Sequence, residues 1–339
     1  MKAYLYCDPR SLNDATRYYV NIIRKCVCRR GFDFVTVHKL SEIKHPDLII
    51  TVTERYFLLA KLRFAKTRTI YWSQGVTAEE AKNVVTGLKS QTRYLFRRMA
   101  EPVAVNKSSI LFCVSNRMVE YYKEKYGLKD RGQIIVMPCY NLQPAGPGKA
   151  DRYARPTFVY AGNASAWQCV DVMLDVYRIV EESIPEAELV IFSNCAEEFE
   201  SKIRNRGIRN YSIRYVPVEQ LKKEMLNYKY GFVIRDKHII NQVATPTKLN
   251  SYLASYLIPI FSDGVAAFAE NIDLGEFTLM ASCPLEADKI AGQIVEFENS
   301  KPDFSKYPQC VDKIFREYFN DSVYEEQLDR QLESLFEDR

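Results

Sequence analysis

The chain is poor in the residues and patterns that mark several common protein classes. Only 3 of its 339 residues are histidine, and the absence of an H-E-x-x-H motif argues against a zinc enzyme. Its 9 cysteines are scattered without a C-x-x-C pair, so we expect reduced, mostly buried thiols in a cytoplasmic protein. No apolar run approaches the roughly 20 residues that span a bilayer, and residues 1–8 are too short and polar for a signal peptide.

Charge is distributed unevenly along the sequence. The first 150 residues contain 26 Lys and Arg against 12 Asp and Glu, a net charge of +14, whereas the remainder carries −10. A basic half of this kind predicts an anionic partner, which could be a membrane surface, a nucleic acid or a phosphorylated acceptor.

Short apolar runs alternate with amphipathic helical patterns from residue 2 to residue 137, and the alternation restarts at residue 157. This order predicts two α/β domains, each with a parallel sheet covered by helices on both faces. We place the first domain at 1–138, a Pro- and Gly-rich linker at 139–156, the second domain at 157–307, and C-terminal helices at 308–339.

The most informative stretch is 228–263. Residues 230–236 read as a strand that ends in the pair Arg235 and Asp236, and Pro246 reads as the start of a helix with Thr245 as its N-cap. Lys248 lies in the first turn of that helix. Strand ends and helix starts are places where α/β proteins bind phosphate, so Arg235 and Lys248 predict a diphosphate site. In the alternative interpretation, Arg235 pairs with Asp236 and Lys248 is solvated.

A second basic feature is the helix predicted over 87–100. An apolar stripe containing Leu88, Leu95 and Met99 faces away from Lys89, Arg93, Arg97 and Arg98, as in helices that lie on membranes. In the more common alternative, the apolar stripe packs against the sheet.

The segment VIRD…NQVATPTKLNSYLASYLIPI resembles the nucleotide-sugar-binding segment of family 4 glycosyltransferases, particularly bacterial enzymes of capsule and surface polysaccharide synthesis. WSQGVTAEEA and YAGNASAWQ resemble loops of the same family. The resemblance implies the GT-B fold, in which two Rossmann-like domains face each other across a cleft, and a retaining hexosyltransferase. This sequence differs from the family at two positions, because glutamates that contact the donor in the family correspond to Ser251 and Val243 here.

The resemblance also implies roles for individual residues. The catalytic residues would be Arg235 and Lys248, and no metal is implied. Donor-binding residues would be Gly162, Asn163, Val216, Pro217, Asn241, Thr247 and Ser251. Acceptor-binding residues would be Gln74, Gly75 and Glu79, and the C-terminal helices at 308–339 would cross back to the first domain. The basic helix over 87–100, rather than the resemblance, predicts the membrane-facing residues Lys89, Arg93, Arg97 and Arg98.

We therefore predict a glycosyltransferase that uses a nucleotide diphosphate sugar as co-substrate, with no cofactor. Its partners would be this donor, a glycan or lipid-linked glycan acceptor and an anionic membrane surface, but no nucleic acid. It would be cytoplasmic and peripheral at the inner face of the cell membrane. The alternatives are a sugar-nucleotide epimerase of similar two-domain fold and a degenerate, non-catalytic binding protein.

Overall fold

The computed structural model describes residues 1–129, 133–144, 146–148 and 150–337. Positions 145 and 149 of the predicted linker and 338–339 of the predicted C-terminal helices lie outside these residues. In the first part of the chain the regular elements are β1 (Lys2–Tyr6), α1 (Asp14–Arg29), β2 (Asp33–Val37), β3 (Leu48–Thr51), α2 (Glu54–Arg63), β4 (Arg68–Trp72), α3 (Thr77–Asn83), α4 (Leu88–Lys107), β5 (Ile110–Cys113), α5 (Asn116–Tyr126) and β6 (Ile134–Val136).

The second part continues the alternation of strands and helices. Its elements are β7 (Thr157–Ala161), α6 (Val170–Ser183), β8 (Glu188–Phe192), α7 (Ala196–Arg204), β9 (Tyr211–Arg214), α8 (Val218–Met225), β10 (Tyr230–Val233), α9 (Ile239–Val243), α10 (Thr247–Ala254), β11 (Ile258–Ser262), α11 (Ala266–Asn271), β12 (Leu279–Ala281), α12 (Ala287–Ser300), α13 (Tyr307–Glu317) and α14 (Asp321–Glu337).

The first compact unit, here the first domain, comprises the described residues of 1–141, 243–245 and those from 320 onward. Its 6-stranded sheet has the order β2-β1-β3-β4-β5-β6, and the paired strands are parallel. Every residue of β3 and β5 is buried, as expected for strands with helices on both faces. The strand order reverses at β1, so the switch point of the sheet lies between β1 and β3.

Helix α14 belongs to this first domain and packs on α1. Arg29 of α1 forms ion pairs of 2.8 Å with both Glu325 and Asp329 of α14. Phe32 and Phe336 add an edge-to-face ring contact at 5.1 Å. The last helix is thus fixed to the first domain by both charge and apolar packing.

The second domain comprises the described residues of 142–242 and 246–319. Its sheet also has 6 strands, in the order β12-β11-β10-β7-β8-β9, and is parallel throughout. Stacking of Phe158 in β7 on Tyr230 in β10, at 4.8 Å between ring centroids, packs the centre of the sheet. Here the switch point lies between β7 and β10, because β8 and β9 extend from one side of β7 and β10 from the other.

The predicted parallel α/β architecture is confirmed, but some local predictions differ from the structure. Strand β10 ends at Val233, before Arg235. Pro246 is the N-cap of α10, and Thr245 does not cap it, because its Oγ1 accepts a hydrogen bond of 2.7 Å from the backbone N–H of Cys139. The predicted loop through Asn241 contains the short helix α9.

Candidate functional site

The switch point of the second domain brings together the loop after β7 and the loop after β10. Gly162 follows β7, Arg235 follows β10, and Lys248 lies at the start of α10. In open α/β sheets, ligands bind outside the carboxyl ends of the strands at this point of the topology. The predicted diphosphate residues Arg235 and Lys248 thus occupy one site.

Arg235 is 4% exposed and is fixed by neutral groups. Its Nη1 donates a hydrogen bond of 3.0 Å to the carbonyl oxygen of Trp167. Its backbone N–H and carbonyl oxygen both bond to the hydroxyl of Ser262. Among the described residues its Nε has no hydrogen-bond partner although it is buried, which is uncommon for a buried polar group.

Lys248 is partly buried beside Arg235. Its ammonium donates hydrogen bonds of 3.0 Å to the hydroxyl of Tyr160 and 2.5 Å to Oε1 of Gln168, and it lies 4.2 Å from the centre of the Tyr160 ring. Burial, and then the positive charge of Arg235, lower the pKa of Lys248 well below its ordinary value. A nearby anion would oppose both effects, because it stabilises the ammonium form.

Residue 162 must be a glycine because of the position of the Lys248 ammonium. A Cβ atom at residue 162 would lie 2.5 Å from Nζ of Lys248, and the backbone has φ +148°, which favours glycine. Gly264 serves the same purpose below Arg235, since a Cβ there would lie 2.1 Å from the Arg235 carbonyl oxygen. Gly162 thus allows the backbone to approach the Lys248 ammonium closely, and Gly264 allows two backbone segments to approach each other at Arg235.

The alternative in which Arg235 pairs with Asp236 is wrong. The carboxylate of Asp236 instead accepts a hydrogen bond of 2.6 Å from the side-chain amide of Asn241. Among the residues that the structure describes, neither Arg235 nor Lys248 forms an ion pair with a carboxylate. A buried cation, Arg235, and a partly buried one, Lys248, without an anion destabilise a site, so this arrangement favours binding of a strongly anionic ligand.

The other predicted donor residues are distributed around this site. Asn163 is exposed, and its carbonyl oxygen accepts a hydrogen bond of 2.6 Å from Tyr160. On α10, the Ser251 hydroxyl donates to the Thr247 carbonyl oxygen at 3.1 Å. Asn241 is buried and positions the loop after β10 through Asp236.

Three other positions that the resemblance singles out lie on other elements. Val216 and Pro217 follow β9, which is separated from β10 by β7 and β8 in the sheet, and Pro217 is the N-cap of α8. Val243, at the second position where the family has a glutamate, is fully buried and belongs to the first domain.

The predicted acceptor residues follow β4 in the first domain. Oε1 of Gln74 accepts a weak hydrogen bond of 3.4 Å from Thr16. Gly75 allows close approach of Glu80, whose carboxylate oxygen would lie 2.2 Å from a Cβ at residue 75. Glu79 accepts a hydrogen bond of 3.0 Å from the Tyr121 hydroxyl and forms an ion pair with Lys125.

Sequence analysis missed several residues that build these sites. Tyr160 and Gln168 position the ammonium of Lys248, and the only local signal was that they flank the Gly162 loop. In the first domain, the buried Glu101 accepts hydrogen bonds of 2.8 Å from the backbone N–H of Thr77 and 2.7 Å from the Tyr126 hydroxyl. Burial raises the pKa of Glu101 to about 6. No sequence pattern pairs these distant residues.

The predicted basic helix extends further than expected, to Lys107. Packing of its apolar stripe against the sheet is wrong for Leu88, Leu95 and Met99, which are 79%, 47% and 67% exposed. The buried residues of α4 are Ala100, Glu101, Ala104 and Val105.

The four cations of this helix differ in their surroundings. Lys89, Arg93 and Arg98 are exposed. Arg97 is partly buried, with Nε 3.3 Å from a Glu54 carboxylate oxygen and Nη1 donating to the Thr77 carbonyl at 3.2 Å. Arg97 therefore serves internal packing. No helix in the described part of the chain is long and apolar enough to cross a membrane.

Sequence comparison and structure comparison give different results. No family model and no curated protein matches the sequence. Among solved structures, sucrose-phosphate synthase from Thermosynechococcus elongatus aligns with a TM-score of 0.71 at 13% identity, covering 100% of both chains. The lipopolysaccharide outer core galactosyltransferase WaaB aligns with a TM-score of 0.68 at 12% identity, covering 99% of this chain and 100% of WaaB.

A mutant of S. aureus TarM, in complex with Fondaparinux, alpha-GlcNAc-glycerol and UDP, aligns with a TM-score of 0.59 at 11% identity. The alignment covers 84% of this chain, which spans only 55% of TarM. At these identities the similarity concerns the fold. The chain has the GT-B fold, with two Rossmann-like domains that each contain a 6-stranded parallel sheet.

Proposed function

We propose that the protein is a glycosyltransferase that moves a sugar from a nucleotide diphosphate sugar to an acceptor hydroxyl. The observation that carries this proposal is the pair of cations, Arg235 and Lys248, at the switch point of the second domain, without a carboxylate partner among the described residues. A diphosphate would interact with both cations and with the free N–H groups at the start of α10, which has no side-chain cap.

The same geometry suits the departure of the diphosphate. When the bond between the anomeric carbon and the diphosphate oxygen breaks, negative charge grows on the leaving oxygen. Trp167 already orients Arg235, and Tyr160 and Gln168 already orient Lys248, so little reorganisation is needed to stabilise this charge. Following the family 4 resemblance, we propose retention of anomeric configuration and no requirement for a cofactor or metal ion.

The named neighbours support the choice of substrates. TarM was solved with UDP, and WaaB is a galactosyltransferase of the lipopolysaccharide outer core. We accordingly propose a hexosyl donor and a glycan acceptor in surface polysaccharide synthesis. The donor contacts would include Gly162, Asn163, Val216, Pro217, Asn241, Thr247 and Ser251, and the acceptor contacts Gln74, Gly75 and Glu79.

A thermal-shift screen with UDP-, GDP-, dTDP- and CMP-sugars tests donor binding, since a ligand that binds only the folded protein raises its melting temperature. We expect a shift with at least one diphosphate sugar and none with the CMP-sugar, which lacks the second phosphate. No shift with any diphosphate sugar would contradict the proposal.

Turnover then separates the alternatives. A transferase releases nucleoside diphosphate in an amount that depends on the acceptor. An epimerase would convert the donor sugar without any acceptor and without releasing nucleotide. A degenerate binding protein would bind the donor and release nothing with any glycan tested.

We also propose that the first domain binds the inner face of the cell membrane, where a lipid-linked acceptor would be located. The docking surface is formed by exposed apolar and basic residues of α4 and the segment before it. Its members are Val84, Val85, Leu88, Lys89, Arg93, Leu95, Arg98 and Met99. Apolar side chains can insert between lipid headgroups while the neighbouring cations interact with anionic lipids.

The strength of this interaction can be estimated. Each basic residue near an anionic surface contributes about 1 kcal/mol, and salt screens the attraction over about 8 Å at physiological ionic strength. Binding should therefore occur with phosphatidylglycerol vesicles but not with phosphatidylcholine vesicles, and should weaken as salt rises.

Sedimentation with vesicles tests the docking surface. Arg98→Glu should reduce binding to anionic vesicles, whereas Lys66→Glu should not. Lys66 is also an exposed cation of the first domain, but it precedes β4 and so lies at the amino end of the sheet. Equal binding to both vesicle types, or equal loss in both variants, would contradict this proposal.

A further inference from the structure

The first domain contains a basic groove at the carboxyl ends of β1 and β3, the switch point of its own sheet. The groove has a volume of about 510 Å³. Asp8 and Ser11 line it from the loop after β1, and Thr53 lines it from the loop after β3. The topology therefore places this groove where α/β sheets bind ligands, although none of the predicted acceptor residues lines it.

The charge of the groove is positive. Its two carboxylates are neutralised by arginines, since Glu54 pairs with Arg97 at 3.3 Å and Asp8 pairs with Arg10 at 2.8 Å. Three further cations line the groove without an ion pair among the described residues: Arg55, Lys89 and Arg93. These three side chains come from two different helices, α2 and α4.

The remaining lining suits a small polar molecule. The groove presents the hydroxyls of Ser11, Thr53 and Thr92, together with the rings of Tyr56 and Phe96. Hydroxyls can pair with sugar hydroxyls, and aromatic rings can pack against apolar faces of a ligand. Arginine and lysine side chains recognise phosphate through charge-assisted hydrogen bonds.

We propose that this groove binds a phosphate group of the acceptor, so that the acceptor is a phosphorylated sugar or a lipid-linked sugar phosphate. The identification of the ligand as the acceptor rests on the proposed glycosyltransferase function, but its chemical class rests on the groove alone. Arg55, Lys89 and Arg93 would contact the phosphate oxygens, and the hydroxyls would contact the sugar.

Calorimetry without any donor tests this binding separately from catalysis. All proteins would carry Arg235→Ala and Lys248→Ala, so that the second domain does not bind the phosphate probes. The probes are glucose 6-phosphate, geranyl diphosphate and, as a neutral control, glucose. Lys89→Gln with Arg93→Gln tests the groove. Lys82→Gln with Lys107→Gln removes two exposed positive charges from α3 and α4 outside the groove.

We expect at least one phosphorylated probe to bind and glucose not to bind. The Lys89 and Arg93 changes should weaken binding by about tenfold or more, and the control changes should have little effect. Binding of glucose 6-phosphate would indicate a soluble sugar phosphate, and binding of geranyl diphosphate alone would indicate a lipid-linked one.

The proposal is overturned if neither phosphorylated probe binds, or if both pairs of changes weaken binding equally. Failure of the donor screen with retained phosphate binding would instead refute the glycosyltransferase assignment and leave the phosphate site intact. Circular dichroism and the melting temperature of each variant confirm that the protein remains folded.

Discussion

The two domains place basic residues at the same topological position but surround them differently. In the second domain, Arg235 is 4% exposed and the Lys248 ammonium donates hydrogen bonds to the neutral side chains of Tyr160 and Gln168. In the first domain, Arg55, Lys89 and Arg93 are exposed around an open groove. The comparison teaches that strand order locates a ligand site, whereas burial determines how firmly its charges are oriented.

This difference has functional consequences. Buried cations interact strongly with an anion because there is little water to screen them, and they are oriented before the ligand arrives. Exposed cations interact more weakly and can adapt to ligands of different shape. A buried site suits the diphosphate group of the donor, whose bond to the sugar breaks in the proposed reaction. An open groove suits recognition of an acceptor.

The largest effect should come from removing the buried cations. Arg235→Ala and Lys248→Ala should each reduce kcat/KM for the nucleotide sugar by about tenfold or more, because each removes a charge-assisted contact to the diphosphate. Steady-state release of nucleoside diphosphate measures this effect.

Lys223→Ala provides the control, because Lys223 is an exposed cation of the same domain and should have near wild-type kinetics. Unchanged kinetics in a folded Arg235→Ala, Lys248→Ala double variant would show that the diphosphate binds elsewhere.

The buried site was predictable because its main residues lie in local patterns. A strand followed by Arg235 and a proline-initiated helix followed by Lys248 are visible in 36 consecutive positions, 228–263. The groove was not predictable in this way. Arg55 on α2 and Arg93 on α4 become neighbours only after β1, β3 and the helices pack, and no local pattern encodes that contact.

Burial was similarly hard to predict. The apolar stripe of α4 has the spacing of a core helix, yet Leu88 and Met99 are exposed and a glutamate, Glu101, is buried. Glu101 is tolerated because Thr77, Tyr122 and Tyr126 donate hydrogen bonds to it. Its donors lie 21 to 25 positions away, so only the folded structure reveals them.

Salt should affect the two sites differently. Raising the ionic strength from about 0.05 M to 0.5 M shortens the screening length from roughly 14 Å to roughly 4 Å. Phosphate binding to the exposed groove should weaken by about tenfold, whereas donor binding at Arg235 and Lys248 should change less. Calorimetric titrations with glucose 6-phosphate and with the donor, at both salt concentrations, measure the difference. Equal salt dependence would remove the distinction between buried and exposed sites.

A smaller effect concerns protons at Lys248. Its pKa is lowered from the ordinary value of 10.5 by burial and by Arg235. Between the lowered pKa and 10.5, the unfolded protein binds more protons at this residue than the folded protein does. The stability of the ligand-free protein should therefore rise with pH through this window and fall as pH decreases through it.

Lys248→Met should remove this contribution, so the variant should be more stable than the wild type below the window and similar above it. Melting temperatures between pH 7 and pH 10.5 measure the difference. Donor binding should also cause proton uptake in the wild type within the window, detected by calorimetry in buffers of different ionisation enthalpy. A pH-independent difference between the two proteins would show that Lys248 does not titrate as inferred.

The smallest expected effect is at Ser251, where the resembled family has a glutamate. The Ser251 hydroxyl donates to the Thr247 carbonyl oxygen within α10, so it can only accept a hydrogen bond from the ribose, and it holds the ribose less firmly than a carboxylate would. Ser251→Glu should tighten donor binding by up to about tenfold through a charge-assisted hydrogen bond, or leave it unchanged. Ser251→Gln, of similar length but uncharged, should tighten it less. Calorimetry with the best donor from the thermal screen measures both variants. A large loss of affinity in Ser251→Glu alone would place residue 251 beside the diphosphate, where a carboxylate repels the ligand, and the donor would then bind α10 in a different orientation from that of the resembled family.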